Sequence, residues 1–171
     1  MVTIATSQSK RLNLRLGAGV ASISTRRRLL LAALSVAAGL AHFWVFPEHR
    51  AEWWGYGLFF LTAGLAQILF ASLLLRSHRP ARLVIAGIAG NLTILATYVI
   101  SRTVGVPVGP HAHDPEQVGR LDFITTLDEI ILVAALASTL SGATRRRTFN
   151  ALLAMGALVW LWRIFGLPAM T

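Results

Sequence analysis

Five apolar segments separate nearly all the charge of this chain into two groups, and this separation limits its fold more than any other feature. The segments run over Leu29–Phe46, Trp53–Leu75, Leu83–Ile100, Phe123–Leu140 and Phe149–Leu167. If they alternate across a bilayer, the arginine clusters at 26–28, 76–82 and 145–147 meet on one face, with three-quarters of the basic residues. The bias of Lys and Arg toward cytoplasmic loops makes that face the inner one. Glu48, Glu52, Asp114, Glu116 and Asp122 then lie outside, with Asp128 and Glu129 just within the membrane at the same end. The expectation is an all-α integral membrane bundle of five transmembrane helices with the N-terminus inside.

With 55% hydrophobic and 13% charged residues over 171 positions, the chain is too apolar for a soluble domain of its size. A bilayer core of about 30 Å takes roughly 17–25 apolar residues per helix. Trp53–Leu75 supplies them without a charge. The net charge of +9 sits where membrane sidedness wants it, so the expected partner is the lipid bilayer and not nucleic acid. Lys or Arg at such sites also attracts anionic headgroups, by about 1 kcal/mol each near the surface. There is no Cys, which removes disulfides, thiolate metal sites, Fe–S clusters and cysteine catalysis. The heavy use of Arg over Lys points to a GC-rich bacterial genome, hence to a multi-pass protein of the bacterial cytoplasmic membrane.

Residues 1–25 read as a basic cytoplasmic arm without helical periodicity, and 26–171 as a single transmembrane domain. The paired arginines before Leu29, followed by Ala37, Ala38, Gly39 and Ala41, are similar to a cleavable export signal. The apolar run continues through Phe46 to Pro47 and is long enough to span, so the helix is expected to remain. Cleavage, or a peripheral last helix, would leave four spans. Span one is expected to exit at Pro47 into a short loop, 47–52. Span four needs Asp128 and Glu129 inside the helix, because Ile130–Leu140 is too short to cross alone. Arg163 in span five must reach outward or find an acid. All five tryptophans fall near the outer interface under this arrangement, where amphipathic rings prefer to sit.

Residues 101–120 form the one long loop, and their prolines and glycines argue against a helix there. The loop is expected to cap the outer helix ends. His42, His49, His111 and His113 share that side; His78 alone is in an inner loop. His42 lies about 6 Å below the exit of span one, and Glu129 about 10 Å below Asp122. The two groups could therefore share a depth. With Glu48 and the loop histidines folded over them, imidazole and carboxylate together would suit a divalent transition metal. Solvated loop histidines and a His42 bonded to a backbone carbonyl are the alternatives. Adjacent Asp128 and Glu129 point about 100° apart, so they cannot serve one neighbour equally. An ionisable group in a span costs about 2.5–3.5 kcal/mol and usually faces an interior or cavity. Deeper in the bundle, Gln67 is placed to reach Asn91, and Ala86, Gly87, Ala89 and Gly90 permit close helix approach.

No phosphate-binding loop, H-E-x-x-H, G-x-S-x-G or dinucleotide fingerprint is present. Gly39–Phe60 with Ala66-Gln67, and Ser101–Pro107 through Gly119 with Asp122 and Glu129, resemble small bacterial polytopic membrane proteins of four to five helices. That resemblance implies an integral membrane protein, and no activity is attached to the group. Three readings of function follow: an outward-facing site of His42, Glu48, His49, His111, His113 and Glu129 that binds a divalent metal or handles protons; a non-catalytic assembly subunit of a larger membrane complex; or an intramembrane metal- or haem-dependent enzyme using the same residues.

Overall fold

The computed structural model describes residues 23–77 and 80–165. The arm 1–22, His78, and the side chains of Trp160, Trp162 and Arg163 lie outside the described residues. Five helices follow one another: α1 (Thr25–Glu52), α2 (Trp54–Arg76), α3 (Pro80–Thr103), α4 (Arg120–Ala137) and α5 (Gly142–Phe165). The fold is all-helical, with no strand among the described residues. α1, α2 and Arg82–Thr103 of α3 are each long and apolar enough to cross a membrane. α4 is not in that set, because its 18 residues include Arg120, Asp122, Asp128 and Glu129. Leu30, Leu40, Leu65 and Leu69 are each more than half exposed, a surface suited to lipid rather than water.

α1 and α2 form the most extensive packing pair. α1 does not leave at Pro47; it continues helically to Glu52, and only the extended Trp53 separates it from α2. A proline inside a helix removes one backbone bond and crowds the preceding turn. The break expected at 47 therefore moves to 53, where Gly57 lets the reversal close: a Cβ there would stand within 3.1 Å of the Arg50 side chain. Further along the pair, a Cβ on Gly39 would lie 3.1 Å from the Gly64 carbonyl oxygen. This glycine crossing brings the two backbones close. In α3, Gly87 faces the Phe70 ring, whereas Gly90 faces open space, so only part of the small-residue run is a packing seam.

The apolar core lies toward one end. Leu31, Leu74, Val84, Leu132, Val133 and Leu136 are all almost fully buried and belong to one cluster. At this end Arg27 reaches the last turn of α4, donating to the Ala135 carbonyl at 3.4 Å and to the Ser138 hydroxyl. Arg28 donates to the Ser77 carbonyl at 2.7 Å. A guanidinium suits a helix C-terminus, where carbonyls lack intrahelical donors. α4 spans 120–137 rather than 123–140, and 138–140 form a tight turn whose N–H groups bond Ala134, Leu136 and Ala137. At mid-depth Ser35 donates to the Gln67 side-chain oxygen at 2.5 Å and Gln67 donates to Asn91 at 2.8 Å. The expected Gln67–Asn91 contact is present, extended by Ser35 to a third helix.

Candidate functional site

The opposite end of the bundle carries loop 104–119 and a cavity of about 210 Å³ between α1, α2, α3, α4 and that loop. Its floor holds His42 and Glu129, whose Nε2 and Oε1 are 2.9 Å apart. Both residues are at most 4% exposed. His42 follows from the inward stripe of α1, on which Ser35, His42 and His49 recur every seven residues and so share a face. Glu129 shares its α4 face with Leu132, Val133 and Leu136, which turn inward with it. Burial of two ionisable groups is tolerable because each is the other's hydrogen-bonding partner.

The walls are largely aromatic: Trp53 from the α1–α2 junction, Tyr56, Phe59 and Phe60 from α2 and Tyr98 from α3. His49 also lines the cavity, with its ring centroid 4.1 Å from that of Phe60 and its Nδ1 3.0 Å from the Val45 carbonyl. At the mouth, Arg102 joins the pieces. Its side chain, 12% exposed, bonds Asp122 at 2.7 Å through Nη2 and Glu116 through Nη1. Its guanidinium carbon lies 5.2 Å from the Tyr98 ring centroid. Asp122 also accepts the Gly119 N–H at 3.0 Å, placing a negative charge in the first turn of α4 where the helix dipole favours it. The Tyr56 hydroxyl donates to the Val108 carbonyl at 2.9 Å, and Glu116 N–H donates to Ser101. The loop therefore covers the helix ends through bonds to α2, α3 and α4.

The sequence-derived residues separate into two sets. His42, His49 and Glu129 line the cavity. Glu48, His111 and His113 are exposed and do not. Helical continuation past Pro47 turns Glu48 about 100° from His49. His111 and His113 sit in the loop's outer turn, and His113 adopts φ 64 there. Among the described residues no three His, Asp or Glu side chains are grouped to hold a metal ion. The arrangement brings together an imidazole–carboxyl pair, not the larger ligand set. Asp128 does not line the cavity, and its buried Oδ2 has no hydrogen-bond partner among the described residues.

Arg102 was not singled out by sequence reasoning, and Asp122 and the tryptophans were placed at the outer end without a part in the site. One signal was available: Tyr98 and Arg102 are four apart on a helix and thus neighbours. Comparison of the chain with family models, curated proteins and solved structures gives no match.

Proposed function

We propose that this is a five-span protein of a bacterial cytoplasmic membrane whose outward-opening cavity exchanges protons through the His42–Glu129 pair. The supporting observation is the pair itself: two buried groups 2.9 Å apart at the floor of a cavity whose mouth carries charged residues. α4 belongs among the spans because its 18 residues rise about 27 Å, close to the hydrocarbon thickness of about 30 Å. Of its two inner acids, Glu129 is partnered by His42, which offsets part of the cost of placing it in a span. The arginine end belongs to the cytoplasm by the positive-inside rule.

Infrared difference spectra between wild type and Glu129→Gln, recorded in H2O and D2O, test the proton reading. The bands of the pair should shift within seconds of transfer to D2O. Bands still unshifted after hours would mean that no proton leaves the pair, and the reading would be overturned.

The cysteine-free background makes sidedness directly measurable. A single cysteine at Ala112 should react with a membrane-impermeant maleimide in intact cells. One at Thr144 should react only after permeabilisation. The reverse pattern would place the cavity on the cytoplasmic side.

A further inference from the structure

We propose that the cavity binds a small organic cation with apolar substituents, and that it takes this cation up in exchange for a proton from His42–Glu129. The inference rests on the proton-exchanging reading above and gives it a ligand class. Three carboxyl groups line the space, Glu116, Asp122 and Glu129, against one guanidinium, that of Arg102. Both terminal nitrogens of Arg102 are already held by Glu116 and Asp122. An anion would therefore meet an excess of like charge, with the one guanidinium already neutralised by two carboxylates and only its Nε–H left without a partner. A neutral apolar molecule would desolvate the carboxyl groups without pairing them. Among the described residues a compact metal ion would find only two convergent ligands at the floor, His42 and Glu129.

An organic cation meets none of these objections. Aromatic faces attract cations, most strongly where water is excluded, and the Tyr98 ring already carries the Arg102 guanidinium. Phe59 and Phe60 offer further rings nearer the floor.

The pair has two states that keep its bond. Imidazolium with carboxylate has no net charge; neutral imidazole donating Nε2–H to the carboxylate has a charge of minus one. A cation arriving beside Glu129 favours the second state. The proton lost from the imidazolium leaves through the cavity mouth, so one positive charge enters as one departs. The other charged or titratable groups facing the pair are His49 from α1, Tyr56 from α2, Tyr98 and Arg102 from α3, Glu116 from the loop and Asp122 from α4, with Asp128 next to Glu129 on α4. Arg102, Glu116 and Asp122 are tied to one another and His49 Nδ1 is held at the Val45 carbonyl; the floor pair is the one imidazole–carboxyl contact among them and serves as the exchanging element.

Isothermal titration calorimetry of the full chain in detergent tests this, with tetraethylammonium chloride as probe and sodium chloride as control. Two buffers of different protonation heat report protons released. Wild type should bind saturably at one site and release about one proton per ion. Glu129→Gln should abolish the release and weaken binding at least about tenfold. Phe60→Leu, which keeps the pair, should weaken binding about threefold and leave the proton count unchanged. The wild-type measurement stands even if a variant fails to fold. No saturable heat beyond the control overturns the cation site, and rapid deuteration of the infrared bands would leave the proton reading intact. Binding without proton release overturns the exchange, whereas the reading beneath it falls only if the infrared bands also stay unshifted in D2O.

Discussion

His42→Leu alone should lower stability by about 3–5 kcal/mol, the usual cost of removing one partner from a buried ionised pair. Glu129 is 2% exposed, and without the imidazole its carboxyl group has no other bonding partner among the described residues. Leu approximates the volume of either side chain, so the penalty is electrostatic rather than a cavity. The double variant His42→Leu, Glu129→Leu should recover most of the loss, because a buried pair replaced by apolar residues of similar size is often neutral. Unfolding in mixed micelles, followed for wild type, both single variants and the double, gives the coupling directly. Additive effects would mean that the two residues do not support one another.

Gly39→Leu should have the next largest effect. The glycine sits where α1 meets α2, and even a Cβ would stand 3.1 Å from the Gly64 carbonyl and 3.2 Å from Gln67 and Ile68. A leucine must spread the helices, and overpacking of this kind costs about 1–3 kcal/mol. Spreading would also stretch the Ser35–Gln67 bond one turn away, a contact of a class averaging about 0.6 kcal/mol. The comparison is Gly90→Leu, whose Cβ would meet nothing within 4 Å; that change should stay within about 0.5 kcal/mol. Equal shifts in thermal unfolding for the two variants would show that the crossing is not tightly packed.

Much of the site was legible from spacing. Counting helical rise from the expected ends of span one and span four put His42 about 6 Å and Glu129 about 10 Å deep, near enough to meet, and the structure pairs them. The same reasoning joined Gln67 to Asn91. Helical rise is constant, so depth follows from residue number once the ends are placed. Rotation is harder. Small residues occur on several faces of α1, α2 and α3, and composition does not say which face turns inward. The Gly39–Gly64 crossing was therefore missed, and of the two α3 glycines that permit close approach Gly87 meets a neighbour while Gly90 meets nothing within 4 Å. Loop paths are harder still. Arg102 meets Glu116 and Asp122 only because the irregular stretch 104–119 folds back over the helix ends. Its turn residues, including Gly105 and Gly109 at positive φ, mark bends without stating where they lead. The end of α1 failed for a third reason: Pro47 is a strong breaker locally, but packing of the following turn against α2 outweighed it.

The contacts of Arg27 and Arg28 carry a consequence for biogenesis. In the proposed topology these side chains belong to the cluster that tells the insertion machinery which terminus to retain, and they also clasp α4 and the end of α2 in the finished molecule. Moving them to invert the chain's threading would unfasten that clasp. The address label and the buckle are the same two guanidinium groups, so neither can be redesigned without the other.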